Sequence, residues 1–409
     1  MAADPMRVLV IGAGPAGTRC AERVAQRLPG AAVTLLGAEA ALPYDRVALG
    51  RLLSGEVEAA ALITHDAARL RALGIRFRPA APVVALDRAT RAAVTAAGER
   101  HAYDRLVLAT GSRAVRLPLP GAERAGVFVY RSMGDVLAIR RAAIGARRAI
   151  VVGGGLLGLE AAAGLAAIGL AVTVVHAVGW PMERQLDEGA GAMLARALGA
   201  RRIRFAMPAA AAALEGPPGG LAALRLADGT RLAADLVVMA VGVRAETALA
   251  AEAGLAPGRG IPVDDAMRSA DPSILAIGEC AEHRGTVCGL VAPALAMAEA
   301  AAAAVAGAAA TYAPRPDPAA LKVSGTAVWS AGEVAPPDAE AITLRDEAGG
   351  RYRRLWLRDG RLVGAVLFGD TADAPFYLEL IGSGRAVAPF RRDLAFGPAY
   401  IPAAARDAA

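Results

Sequence analysis

One pattern occurs twice in this 409-residue chain. At Arg7 to Gly17 an apolar run, Val8 to Ile11, breaks into Gly12-Ala13-Gly14-Pro15-Ala16-Gly17 and then a polar, alanine-rich helical stretch, Thr18 to Leu28. At Ala149 to Leu165 an apolar run meets Gly153-Gly154-Gly155-Leu156-Leu157-Gly158 and then a second helical stretch. Strand, glycine turn and helix in this order build a dinucleotide cradle. The first glycine (Gly12, Gly153) permits the tight turn, the second (Gly14, Gly155) lets backbone approach a pyrophosphate, and the third (Gly17, Gly158) packs helix on strand. The anion sits over the helix start, at Pro15 and Ala16 or at Leu156 and Leu157, where unpaired N–H groups (none from Pro15 itself) and the dipole favour it. One such loop is a weak signal. Two complete units argue for two dinucleotides, and hence for an oxidoreductase rather than a single-nucleotide binder.

The segments between and after the loops fill in an α/β chain. Ala32 to Leu36 reads as a second strand ending near Glu39, which is either a ribose acceptor or a solvated loop carboxylate. Arg46, in the Leu42 to Glu56 stretch, is either a phosphate clamp or a surface charge. Ala81 to Leu86 and Ala92 to Ala97 read as a β-meander. A buried strand, Tyr103 to Ser112, then runs through Ala109-Thr110-Gly111, where small residues allow a ligand to approach closely. In the second unit, Ala171 to Val175 ends at His176, Pro208 to Gly220 reads as a low-complexity turn region, and Leu236 to Val241 closes at Gly242. Ser273 to Cys280 is a strand leading to Gly278-Glu279, with Glu279 either a hydroxyl acceptor or part of a helix cap. A long helix follows over Ala294 to Ala306, opened by Leu290 to Pro293. Pro314 to Pro318 reads as a stiff linker. The tail from Leu321 is a small α+β domain with a hairpin, Tyr352 to Phe368, turning at Asp359-Gly360. Trp356 beside Arg354 and Arg358 is either a docking patch or cover over that domain's core.

Composition narrows the class. Hydrophobic residues make up 55%, but aromatics only 4%, so the mean hydropathy of +0.40 reflects alanine. Two stretches are apolar enough to resemble membrane spans. Ala161 to Val178 is interrupted by Gly164 and Gly169 and reads as helix–turn–strand, while Ala294 to Ala310 carries Glu299. With no apolar leader at its N-terminus, the chain is expected to be soluble and cytoplasmic, with no membrane contact. The net charge of +6 comes from scattered arginines, with Lys322 the only lysine. That spacing argues against nucleic acid and leaves open a basic face for an acidic protein partner. Cys20, Cys280 and Cys288 form no C-x-x-C and no metal-ligand spacing, and no metal is expected.

The more specific stretches are LPYDRVAL (42–49), VVGGGLLGLEAA (151–162), MERQLD (182–187), AIGECA (276–281), GLVAP (289–293), LKVSG (321–325) and LVGAVLFGDTAD (362–373). Through these the chain resembles the two-dinucleotide flavoprotein reductases, which include rubredoxin and ferredoxin reductases. Within that group it is most similar to the N-terminal FAD/NAD(P)H module of assimilatory nitrite reductase large subunits and of nitrate reductase electron-transfer subunits. The likeness extends over essentially the whole chain. It implies two Rossmann-like domains, the second inserted in the first. Residues 1–114 and 245–314 would bind FAD, 115–244 would bind NAD(P)H, and 315–409 would form the α+β domain.

The same resemblance implies roles for single residues. Gly12, Gly14 and Gly17 would hold the FAD pyrophosphate, Glu39 the ribose, and backbone near Val83 the adenine. Thr110 and Gly111 would lie against the FAD and Glu279 would bind the ribityl chain. Val291 and Ala292 would set a helix N-terminus at the pyrimidine ring. Gly153, Gly155 and Gly158 would bind NADH or NADPH, and Glu160 would meet the nicotinamide, with Arg51 as its ion-pair partner. His176 stands where NADH enzymes often carry an acid, which leaves the coenzyme open with an inclination to NADH. Relatives in nitrite reductase continue into a cysteine-rich [2Fe–2S] segment and a sirohaem domain. This chain, ending at Ala409, is therefore expected to pass electrons from NAD(P)H through FAD to a separate iron–sulfur or sirohaem protein. The other readings are a rubredoxin or ferredoxin reductase serving an oxygenase, and a non-catalytic flavin-binding redox sensor.

Overall fold

A computed structural model describes residues 4–309, 311–314, 318–323 and 325–402, without the side chains of 322 and 323. Most of the expected linker (315–317), part of the 321–325 motif and the last residues of the tail lie outside the described residues.

The duplication seen in the glycine loops extends to whole sheets. The first is five-stranded and parallel, in the order Ile274–Ala276, Arg105–Leu108, Arg7–Ile11, Ala32–Leu36, Ile75–Arg78. The second is also five-stranded and parallel, in the order Val127–Val129, Leu236–Met239, Arg148–Val152, Ala171–Val175, Ile203–Ala206. Near-continuous Val, Leu and Ile runs fit strands covered on both faces. The glycine loop leaves the middle strand of each sheet, where the chain turns away into a helix: Pro15–Arg27 in the first and Leu156–Ala167 in the second. Each unit also carries a three-stranded antiparallel meander. In the second unit it includes Ala211–Glu215, which corrects the reading of 208–220 as turn alone: Ala213 and Leu214 are buried and the strand pairs with Ala223–Leu226. The expected buried strand at 103–112 ends early, at Leu108, and the chain is irregular over 109–111.

Two short strands, Ser112–Ala114 and Val243–Ala245, pair antiparallel where the chain crosses between the sheets. The alanine-rich helix starts earlier than expected, at Val291, and runs to Val305. Its small side chains Ala298, Ala301 and Ala302 are fully buried, and Glu299 on it meets Arg19, Arg23 and Arg27 of the opening helix. Among the described residues no helix is long and apolar enough to cross a membrane.

The C-terminal unit is a five-stranded antiparallel sheet with the helix Ala374–Ser383 on one face. Its hairpin turns at Asp359 and Gly360, both at positive φ (50° and 68°), the signature of a two-residue primed turn. Trp356 is 1% exposed and packs with Tyr352 and Phe368 into a core shared with the second sheet's helices. Arg358 is bonded to Glu333 and Asp338. Of the two readings for this trio, cover over a core is the one that fits.

Candidate functional site

Both glycine turns exist because backbone passes where a side chain cannot. A Cβ on Gly12, whose φ is +112°, would lie 2.0 Å from the Ala109 carbonyl oxygen. One on Gly17 would lie 1.9 Å from the Gly12 oxygen. The second loop repeats both contacts, Gly153 with Ala240 at 2.2 Å and Gly158 with Gly153 at 2.0 Å. Gly155, by contrast, has no described residue beyond its own turn and helix within 4 Å of the place its Cβ would take, and Gly14 has only Arg46 Nε at 3.7 Å. The space beside these two is open, as a bound pyrophosphate requires.

The space beside Gly14 is one end of a cavity of about 620 Å³. The first loop (Gly12, Gly14, Pro15, Ala16) and Glu39 with Arg46 form one wall. Ala109, Thr110, Gly111, Gly278 and Glu279 form the floor, where two neighbouring parallel strands end. Val291 and Ala292 present the start of a helix that carries no side-chain cap. Leu156, Leu157 and Glu160 arrive from the second nucleotide unit, and Pro318 and Ala320 from the C-terminal unit. The cavity thus joins all three units and gathers most of the residues singled out by sequence.

Some fall elsewhere. Gly17, Gly153, Gly155, Gly158, His176 and Gly242 belong to the turn backbones or to the second loop and do not line this cavity. Val83 is also outside it. Ala80 and Ala81 donate their N–H groups to the Glu39 and Gly37 carbonyls at 2.9 and 2.8 Å, so the chain follows the rim there and reaches Val83 only after leaving it. Arg51 is not Glu160's partner. On the short helix Leu49–Ser54 it is Gly50 that faces Glu160, with Cβ positions 3.8 Å apart, while Leu49, Leu52 and Leu53 are buried. The helical phase sends Arg51 outward to Glu56, 3.5 Å away.

Among the described residues Glu160 therefore has no cation beside it. Burial alone pushes its carboxyl up to about 7. The hydroxyl of the neighbouring Tyr130 is buried with no hydrogen-bond partner among the described residues.

A polar seam that sequence reasoning missed crosses the cavity. Glu39 accepts from Tyr44 Oη at 2.8 Å and pairs with Arg46, whose guanidinium lies 5.0 Å over the Tyr44 ring. Burial raises the Tyr44 hydroxyl to about 12, and this hydroxyl also accepts from the Met133 N–H at 3.0 Å. Arg46 also donates to the Arg131 carbonyl at 3.3 Å, and the Arg131 guanidinium pairs with Glu279. Ser112 donates to the same Glu279 oxygen at 2.7 Å. The only local signal for Arg131 was the helix start after it: Ser132 and Asp135 form a capping box, which puts Arg131 on a loop but says nothing of where it points. Cys280 sits under this floor, fully buried, with its thiol donating to Ile277 O at 3.2 Å and its pKa raised by burial.

Two parallel nucleotide units sharing one cavity, with a glycine cradle open beside each, define the class of two-dinucleotide oxidoreductases. The family model of pyridine nucleotide-disulphide oxidoreductases matches residues 6–307, and that of the rubredoxin NAD+ reductase C-terminal domain matches 318–385. The chain belongs to the pyridine nucleotide-disulphide oxidoreductase family, whose cofactors are FAD and NAD(P)H. It is 38% identical over 370 residues to nitrite reductase [NAD(P)H] of Bacillus subtilis, covering 90% of this chain and 46% of that protein. To the assimilatory nitrate reductase electron transfer subunit of the same organism it is 35% identical, covering 90% and 48%. The chain thus spans about half the length of these two relatives. A solved ferredoxin reductase from Rhodopseudomonas palustris shares the fold with a TM-score of 0.89 and 27% identity, over 98% of this chain and 99% of that one.

Proposed function

We propose that the protein is an electron-transfer flavoenzyme that takes a hydride from NAD(P)H and hands electrons to a separate iron–sulfur or sirohaem protein of nitrate or nitrite assimilation, in the cytoplasm where NAD(P)H is at hand. The observation that carries this reading is the shared cavity: the helix of the second cradle brings Leu156, Leu157 and Glu160 to a chamber floored by the first. A nicotinamide held by the second cradle then faces a flavin held by the first. The division into 1–114 with 245–314, 115–244 and 315–409 is part of the proposal, supported by the paired strands Ser112–Ala114 and Val243–Ala245 at two of its boundaries.

The residues fit an FAD. Gly12 makes the tight turn against Ala109, Gly14 leaves room for a pyrophosphate that a Cβ would fill, and Glu39 stands ready for a ribose. Ser112 and Arg131 hold Glu279 in place for a hydroxyl-bearing chain. Bound there, FAD supplies hydride acceptance and single-electron release. The chain's own contribution is position and charge. The uncapped N–H groups at Val291 and Ala292 favour negative charge beside them, and Glu160 with Leu157 sets the pose of the incoming ring.

A second reading, a ferredoxin reductase serving an oxygenase, is favoured by the match along 99% of a solved ferredoxin reductase. Anaerobic NADH or NADPH reduction of the purified flavoprotein, followed by titration with rubredoxin, a [2Fe–2S] ferredoxin and a sirohaem nitrite reductase, tests both. Fast electron delivery to the nitrite reductase supports the first reading and delivery to ferredoxin alone supports the second. A protein that takes up no flavin sinks both.

A further inference from the structure

The two cradles correspond in register but differ at the tip of the second strand. Gly12 N donates to Leu36 O and Gly153 N to Val175 O, both at 2.8 Å, so Gly37 and His176 occupy equivalent positions. The residues facing them are exchanged in size. A Cβ on Gly37 would meet the Ala13 methyl at 3.2 Å, whereas one on Gly154 would meet the imidazole of His176 at 2.8 Å. In the second cradle the glycine has moved into the loop, and an imidazole lies over it.

Both nitrogens of that ring are committed. Nδ1 accepts from the Gly154 N–H at 3.1 Å, so the ring proton sits on Nε2, which donates to Glu183 Oε2 at 3.0 Å. His176 therefore presents no acceptor to a sugar hydroxyl. Glu183 does, because its other carboxylate oxygen makes no hydrogen bond among the described residues. The residue before it is tied to the loop, Met182 N donating to Gly154 O at 2.9 Å, which fixes Glu183 beside the cradle. His176 is buried while the Glu183 side chain is 30% exposed, so the carboxylate faces outward from the ring. In a dinucleotide unit an acid at the second strand's tip accepts from the ribose 2′-hydroxyl, while a nearby arginine accommodates a 2′-phosphate. Arg184 is exposed next to Glu183, but it is the carboxylate that the imidazole holds.

We propose that Glu183, positioned by His176, selects the coenzyme: it accepts from the 2′-hydroxyl of NADH and repels the 2′-phosphate of NADPH. The acid displaced from the strand tip is thereby restored one imidazole further out. This rests on the reading that the second cradle takes a nicotinamide dinucleotide.

The test uses the flavin-loaded full chain as the native protein, E183Q, H176N and the double variant. Steady-state oxidation of NADH and NADPH is measured together with calorimetric binding of 5′-AMP and 2′,5′-ADP. The native protein is expected to prefer NADH and to bind 5′-AMP more tightly than 2′,5′-ADP. E183Q lowers the NADH-to-NADPH ratio of kcat/KM by at least about tenfold and tightens 2′,5′-ADP binding. In H176N the amide oxygen can still accept from Gly154, so the loop is kept while the tether to Glu183 is lost. The ratio then shifts in the same direction, through KM more than kcat. The double variant goes little beyond either single change, as expected for one coupled unit. A native preference for NADPH, which would point to Arg184, overturns the proposal, as does an unchanged ratio and unchanged 2′,5′-ADP binding in E183Q. A protein that oxidises neither coenzyme and binds neither adenosine probe overturns the reading of the second cradle instead.

Discussion

Arg131 and Glu279, 148 positions apart, pair inside the cavity, and the pair closes a polar seam that starts at Glu39. Their side chains are 21% and 18% exposed, so neither charge is solvated well enough to stand alone. Among the described residues, Arg131→Met leaves Glu279 with only the Ser112 hydroxyl. A charge stranded in this way costs about 1–3 kcal/mol, and flavin affinity is expected to drop roughly 10- to 100-fold. Flavin release on dilution, followed by fluorescence, measures this. The double variant with Glu279→Gln is expected to recover part of the loss because it removes the stranded charge. Unchanged affinity in Arg131→Met would show that the seam plays no part in holding the cofactor.

The two open glycines give a cleaner probe of the cradles than the two crowded ones. Gly155 has an ordinary φ of −77° and, among the described residues beyond its own turn and helix, no neighbour within 4 Å of a Cβ, so Gly155→Ala is expected to fold and bind flavin like the native protein. Its KM for the coenzyme should nevertheless rise about tenfold or more, because the methyl takes the space that backbone leaves for the pyrophosphate. Gly158→Ala should behave differently: its Cβ would fall 2.0 Å from the Gly153 oxygen, forcing backbone to move at a cost of about 1–3 kcal/mol in stability. Unfolding temperature and coenzyme KM, measured on both, separate the two effects.

Glu160 supplies a pH dependence whose sign is set by burial. Its folded pKa, about 7, lies above the ordinary 4.5, so between those values the folded chain binds more protons than the unfolded one. Stability then falls as pH rises through that window and the full penalty is present above about 7. Glu160→Gln removes the penalty. In the flavin-free protein it is expected to stabilise by about 3 kcal/mol above the window and by nothing below it. Denaturant unfolding at both ends of the range checks this, and equal stabilisation at both ends would contradict it.

What the sequence made legible is what backbone geometry demands. Gly12, Gly17, Gly153 and Gly158 each sit within about 2 Å of a carbonyl oxygen once a Cβ is added, so no other residue serves there and the pattern has to appear in the chain. The alternation of apolar runs with helical stretches exposed both sheets for a similar reason. Illegible were relationships that only the closed fold creates. Arg131 has no local signature and is brought to Glu279 by the short turn between the strand Val127–Val129 and the helix Met133–Ala143. Arg51 and Glu160 looked paired because their motifs belong together, but the phase of one short helix puts Gly50 between them. Ala211–Glu215 forms a strand although alanine is a poor strand former, because its neighbour Ala223–Leu226 offers a partner and a buried face.

One buried acid adds a polar tie to the apolar contact between the C-terminal sheet and the second unit. Asp187, 4% exposed, accepts from the Tyr352 hydroxyl and from Arg354 at 2.9 Å, and Gly189 two residues on has no Cβ to strike the Tyr352 ring. Removing the carboxylate leaves the buried Tyr352 phenol without its acceptor beside the Arg354 guanidinium, at a cost of about 1–3 kcal/mol. Because Pro318 and Ala320 of this unit line the cavity, the loss should be felt there as well as at the contact. In Asp187→Ala, amide hydrogens of Arg351–Arg358 are expected to exchange faster, and the fluorescence of bound flavin to become more readily quenched by iodide. Tyr352→Phe, which removes one hydrogen bond and strands no charge, should show the same changes more weakly. Faster exchange with no change in quenching would mean that the sheet docks without shielding the cavity. Quenching that rises with exchange ties the shielding of the reactive chamber to Asp187.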